Sequence, residues 1–211
     1  VTIVKIFLLS TFNGLFGIFL SGLWYQKIPS EMDMQQINKA FWIWCEFSCM
    51  DTDYLMKIQD NVQNKLRGPK FKLHMTLAGP FVEISKSSIE EMKSHCIQQS
   101  SIKAKILCYE YKELFFQSFY IAICQSKELE KLRAFMFKIN QQTQTKYFYP
   151  HISLAYGNHQ KNIKKALIKT LPPLKDSITV NKISIVQIEE NINNWEISNS
   201  FSFMSGIIIW R

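Results

Sequence analysis

Apolar and polar positions along this chain follow two different periods, and the changes of period mark its elements. Residues 41–47 form a nearly unbroken aromatic and apolar run, which predicts a strand. After Asp51-Thr52, the residues Tyr54, Ile58, Val62 and Leu66 recur every four positions, a helical stripe that Gly68-Pro69 stops. Residues 71–78 return to alternation, and Gly79-Pro80 is its expected end. Ser88 and Glu91 form a capping-box pattern ahead of Ile89, Met92 and Cys96. Strands are expected over 103–111 and 114–124, and Ser126 stands where it would cap a helix bearing Leu129, Leu132, Met136 and Ile139. A strand opening at His151, a basic helix over about 160–169, and strands over 178–188 and 194–203 complete the pattern.

The second half of this order resembles the first. In each, a strand and a helix lead to a short strand bearing a histidine, followed by a helix and a strand pair. The expected fold class is α+β: a bilobal, pseudo-duplicated domain with two antiparallel or mixed sheets facing across a central cleft and helices outside.

A chain of 211 residues suits one such domain, and 47% hydrophobic against 20% charged residues excludes a disordered chain. No linker divides residues 38–203. The domains read as an N-terminal hydrophobic segment, 1–37, and a folded domain, 38–211. Within the first, no residue from Ile6 to Tyr25 is charged, which is long enough for a bilayer. Asn13 and Gly14, Gly17 and Gly22 make it a mediocre span. The expectation is a cytoplasmic-type domain with a membrane or signal anchor at residues 6–25. The net charge of +8 favours phosphorylated ligands, nucleic acid or anionic membrane without choosing among them. Lys161, Lys164, Lys165 and Lys169 read as the wet face of a helix. The five cysteines show no metal-site spacing, so no metal or cofactor is expected. Cys96, Cys108 and Cys124 lie in apolar runs and read as small buried hydrophobes.

Two tripeptides carry the chemistry: His74-Met75-Thr76 and His151-Ile152-Ser153. Because strand side chains alternate, Phe71, Leu73, Met75 and Leu77 should face the core, and His74 and Thr76 the other way. Likewise Ile152 and Leu154 should be core, with His151 and Ser153 opposite. One such motif means little; two at equivalent positions of similar halves mean more than two half-buried histidines would. Opening a cyclic phosphodiester needs a base for the attacking water and an acid for the departing oxygen, acting in line on one phosphorus. Histidine supplies either form near neutrality. The Thr76 and Ser153 hydroxyls can donate to the non-bridging oxygens.

These paired motifs resemble the two-histidine (2H) phosphoesterase superfamily, and within it the plant- and yeast-type cyclic phosphodiesterases. The likeness spans about residues 40–203. Ile43-Trp44 resembles the Trp-bearing first strand, Gly68-Pro69-Lys70-Phe71 the approach to the first motif, and Phe115-Phe116-Gln117 the aromatic-Gln strand. Tyr149-Pro150-His151-Ile152-Ser153-Leu154-Ala155-Tyr156 is similar to the second motif, and Trp195 falls where the last strand carries a Trp. The resemblance implies catalysis by His74, His151, Thr76 and Ser153. It implies hydrolysis of ADP-ribose 1″,2″-cyclic phosphate, a by-product of tRNA splicing, with nucleoside 2′,3′-cyclic phosphates as secondary substrates. It also implies that Trp44 and an aromatic residue just before His151, Phe148 or Tyr149, hold the nucleotide. Leu73 replaces a frequent Pro, and Phe148 a common Tyr, which bears on substrate preference.

Other residues read as bland. His95 is a surface helix residue, and His159 a loop residue at the cleft rim. Glu110, Glu113 and Glu189-Glu190 are solvated charges at strand ends. Trp42 and Trp44 share one strand face, and only the resemblance raises Trp44 above Trp42. Tyr156 falls on the core side by alternation, but the strand ends there and the ring is equally placed to turn to the cleft. The expected partner is a small cyclic-phosphate nucleotide bound by a monomer. The alternatives are a phosphodiesterase acting on 2′,5′-linked oligoadenylate or an RNA end, a non-catalytic nucleotide- or RNA-binding domain, or a membrane-anchored structural protein.

Overall fold

A computed structural model describes residues 40–144 and 147–204. The expected anchor, residues 6–25, and the expected boundary between 37 and 38 lie outside the described residues. Among the described residues no helix is long and apolar enough to cross a membrane.

Seven strands and four helices follow one another as β1 (Ala40–Phe47), α1 (Cys49–Gln63), β2 (Met75–Phe81), α2 (Lys86–Cys96), β3 (Ile102–Glu110), β4 (Phe119–Ile123), α3 (Lys127–Ile139), β5 (His151–Ala155), α4 (Lys161–Ile168), β6 (Ser177–Ile188) and β7 (Glu196–Ser202). The order is the α+β order that the periodicity predicts. All pairings between these strands are antiparallel. One lobe is β7-β6-β1-β2 and the other β5-β4-β3. They join on one side where Met75 of β2 pairs with Ile152 of β5, and on the other where residues 102–105 of β3 pair with 177–180 of β6. The two sheets expected from the sequence are thus joined along two edges. The two repeats, β1-α1-β2-α2-β3 and β4-α3-β5-α4-β6, exchange their third strands: β3 lies in the lobe of the second repeat, and β6 in that of the first. The helices exchange in the same way, with α1 packed on β5 and α3 on β2.

Helix faces follow the stripes. Leu55, Ile58 and Val62 of α1, Met92 and Cys96 of α2, Leu129, Leu132, Met136 and Phe137 of α3, and Leu167 of α4 meet the sheet residues Ile43, Cys45, Met75, Leu77, Ile121, Ile152, Leu154 and Ile183 in one core. Burial at this scale stabilises by roughly 25 cal/mol for each Å² of apolar surface removed from water. Ser48 and Ser126 cap α1 and α3. At α2 the cap is Ser85, not Ser88: Ser85 accepts from the Ser88 N–H, and the buried Ser88 hydroxyl donates to the Ile139 carbonyl, tying α2 to α3.

Local expectations shift elsewhere. β2 runs on through Gly79-Pro80 to Phe81, because pairing with β1 continues to Phe41. Residues 114–118 are not strand; Phe115–Gln117 is a 3-10 turn ahead of β4. Lys164 is buried, not on the wet face, and its ammonium caps the Lys112 carbonyl at 2.7 Å. Cys96 is buried as expected, and burial pushes its thiol up to about 12. Cys108, at a register shift of the β3–β4 pairing, is exposed, and Cys124, just past the end of β4, is half-buried.

Candidate active site

The two histidine motifs sit on neighbouring antiparallel strands. Met75 lies opposite Ile152, so one step along each strand puts His74 opposite Ser153 and Thr76 opposite His151. Met75 and Ile152 are fully buried in the core, so by alternation all four motif side chains share the other face. A local two-fold axis passes through the Met75–Ile152 pair. The histidines occupy one diagonal across it, where side-chain origins stand about 7–8 Å apart, a gap that a phosphate group fits between two imidazoles.

Both rings are held by the same device. His74 Nδ1 lies 2.7 Å from the Lys72 carbonyl and His151 Nδ1 2.8 Å from the Tyr149 carbonyl, each two residues back. A carbonyl only accepts, so each Nδ1 carries a proton and each Nε2 lone pair is left for other chemistry. His74 is 6% exposed, and burial pulls its pKa down to about 4; the Lys72 carbonyl opposes the shift and the nearby His151 adds to it. Burial likewise lowers His151, against its Tyr149 carbonyl bond and with the Lys112 charge. Both rings are therefore neutral at pH 7 in the unliganded protein.

The flanking strands repeat the symmetry in position and break it in chemistry. Trp44 of β1 pairs with Thr76, and Tyr120 of β4 pairs with Ser153. Trp44 lies face to face on His74, with centroids 3.5 Å apart and planes 6° apart, whereas Tyr120 meets His151 edge-on at 5.1 Å. Trp44 is 2% exposed and backs the histidine ring. Beside His74, the buried Glu46 takes Lys72 at 2.7 Å, Lys182 at 2.8 Å and the Ser184 hydroxyl. These bonds hold its carboxyl below the usual range despite the opposing effect of burial. Beside His151, Glu110 accepts from Tyr149 at 2.5 Å and Tyr120 at 3.0 Å. Glu110 is no solvated strand end: it anchors two phenols next to a histidine.

Tyr156 turns to the site. It stacks on Phe71 at 3.8 Å and meets Phe116 and Trp195 edge-on, and burial pushes its phenol up with the Ser153 hydroxyl acting against the shift. Phe71, expected in the core, is part of this aromatic wall. Gly68 makes the wall possible, because a Cβ there would lie 2.4 Å from the Tyr156 carbonyl oxygen. Phe148 is elsewhere: its ring lies under Arg133 at 4.8 Å, beside a surface depression of about 460 Å³ along α3. Phe148 and Tyr149 both precede β5, and their rings meet different neighbours, Arg133 for Phe148 and His151 for Tyr149. Of the two expected aromatics, only Tyr149 reaches the histidine, at 6.2 Å. His159 bonds Ser118 Oγ at 2.9 Å and the Arg67 carbonyl at 2.7 Å, fastening the loops behind the wall. His95 stacks on Phe135, away from the site.

Ser153 Oγ donates to the Phe116 carbonyl at 3.1 Å, while the Thr76 hydroxyl makes no hydrogen bond among the described residues. Among the described residues no group of three or more His, Cys, Asp or Glu is arranged to hold a metal ion. Sequence reasoning missed Glu46, Lys112 and Tyr120. Trp44 and Glu46 share a strand face, but only the β1–β2 pairing shows which histidine they accompany.

No protein-family model and no curated protein matches the chain. Solved structures do. Escherichia coli LigT in apo form superposes with a TM-score of 0.56 at 12% identity, over 79% of this chain and 98% of that one. A crystal structure of a phosphoesterase gives 0.52 at 13% identity, over 79% and 99%. TT0787 of Thermus thermophilus gives 0.51 at 14% identity, over 79% and 99%. The bilobal α+β fold of this chain is the fold of these proteins.

Proposed function

We propose that this protein is a two-histidine phosphoesterase that hydrolyses a cyclic phosphodiester on a nucleotide. The observation that carries the reading is the Met75–Ile152 register, which sets two histidines, each with Nε2 unencumbered, and two hydroxyls around one point. The fold shared with LigT and a phosphoesterase supports it, as does a LigT structure complexed with 3′-AMP.

In the mechanism, a phosphate lies between the two Nε2 atoms. Its negative charge restores a proton to one imidazole, which becomes the acid; the other stays neutral and is the base. The base takes a proton from water as the water oxygen attacks phosphorus. The P–O bond to the ribose breaks on the far side, and the acid gives that oxygen its proton. Ring opening leaves a phosphate monoester and a free hydroxyl. Thr76 donates to a non-bridging oxygen directly. Ser153 does so after releasing the Phe116 carbonyl. Trp44 and Tyr120 hold the rings in place behind the reacting atoms.

Phosphorus NMR of the purified protein with ADP-ribose 1″,2″-cyclic phosphate and with adenosine 2′,3′-cyclic phosphate tests the reading. The expected result is conversion of a cyclic signal to a monoester signal, undiminished by EDTA. No conversion of either compound, or conversion that stops with EDTA and returns with a divalent ion, would overturn it.

A further inference from the structure

The two flanks of the histidine pair differ in how their cations are used. Lys72 and Lys182 both close on Glu46. Lys112 closes on no carboxylate among the described residues: its ammonium lies 4.8 Å from the Tyr149 ring centre and 6.0 Å from that of Tyr120, and bonds only Gln117 Oε1, at 2.8 Å. Glu110, the nearest acid, is already occupied by the two tyrosine hydroxyls. Lys112 is also fixed in place. Buried Lys164 caps its carbonyl at 2.7 Å, and its own N–H bonds the Gln117 carbonyl at 3.0 Å. Two ammonium protons and the Gln117 amide nitrogen have no partner among the described residues. The two tyrosine rings that this cation approaches are the same two that meet His151, so it belongs to the His151 flank of the site.

We propose that Lys112 and Gln117 form a second phosphate subsite, which takes a further phosphate group carried by the same nucleotide whose reacting phosphate sits between His74 and His151. The proposal rests on the reading of the histidine pair as a nucleotide phosphate site. A half-buried ammonium with unused protons beside an amide donor suits a phosphate oxygen, and charge-assisted bonds of this kind are the strong ones. A single cation that makes no ion pair among the described residues, though it feels the Glu110 carboxylate, fits one extra phosphate on a mononucleotide; a nucleic-acid chain would call for a row of cations.

The test is calorimetric binding of adenosine 2′-monophosphate and adenosine 2′,5′-bisphosphate to the 211-residue chain, beside Lys112→Gln and Lys112→Arg. The bisphosphate is expected to bind the wild type about tenfold more tightly than the monophosphate, as one charge-assisted contact implies. Lys112→Gln should cut that ratio to about twofold, and Lys112→Arg should keep most of it. A wild-type ratio near one, a ratio unchanged in Lys112→Gln, or an equal weakening of both ligands would overturn the proposal. A dinucleotide carrying a 2′-phosphate that bound more tightly than the bisphosphate would overturn the choice of a mononucleotide. Should neither cyclic phosphate be hydrolysed while the ratio still depends on Lys112, the proposed hydrolysis falls and the subsite stands. Hydrolysis with a ratio of one gives the reverse.

Discussion

His74 and His151 share one backbone environment and live in two chemical ones. Each ring is pinned by the carbonyl two residues back, and each sits opposite a hydroxyl residue of the other motif. Around His74 the neighbours are a stacked indole and a carboxylate clasped by two lysines. Around His151 they are two phenols tied to Glu110 and a lysine without an ion pair among the described residues. The lesson is that the duplicated backbone supplies position, while burial first, and the unlike flanks after it, set the proton affinities of otherwise equivalent rings.

The largest effect should come from removing either ring. His74→Ala and His151→Ala should each cost on the order of 10³-fold or more in kcat, since acid and base act in one displacement. Steady-state kinetics on the compound found active by phosphorus NMR checks this, and a loss in only one variant would break the equivalence of the two positions.

Next is pH. His74 falls from 6.5 to about 4 on folding. Between those values the unfolded chain binds more protons than the folded one, so stability is full above 6.5 and is lost as pH falls toward 4. The shift corresponds to about 3 kcal/mol. Urea unfolding at about pH 7 and about pH 4.5 should show a loss of this order, and His74→Gln should remove most of it. His151, half-buried and also lowered, should contribute less. An equal response from His151→Gln would contradict the difference between the flanks.

The hydroxyls come third. Thr76→Ala and Ser153→Ala should each lower kcat on the order of 10²-fold. The smallest effect is Tyr120→Phe, which removes one bond to Glu110 and should cost about 1 kcal/mol of stability by thermal or urea unfolding.

Much of this was legible in the sequence. Alternation alone put His74 and Thr76 on one face of β2, and His151 and Ser153 on one face of β5, with Met75, Leu77, Ile152 and Leu154 behind them in the core. Phe148 and Tyr149 precede β5, so alternation could not choose between them. What was illegible depends on strands distant in sequence. Glu110 looked like a solvated strand end because the phenols that bind it come from β4 and from the segment before β5. Glu46 and Trp44 acquire meaning only once β1 pairs with β2, and Lys112 only once α4 brings Lys164 beneath it. Phe71 failed for another reason: the strand begins at Met75, so alternation does not extend back to it.

The exchange of third strands between the repeats has a consequence for how the molecule is assembled. β3 must cross to pair with β4, and β6 must return to pair with β1, before either histidine has its complete surroundings. Neither repeat can close its own sheet, so a fragment ending after β3 would display an unpaired edge and would hold no half-site. The β1–β6 pairing joins residues far apart in sequence, and contacts of that kind form late and slow folding. They also make the two lobes a single cooperative unit, so that heat or denaturant should release both histidines in one transition. The arrangement is that of two copies of one β-α-β-α-β unit swapped into each other and then joined into a single chain.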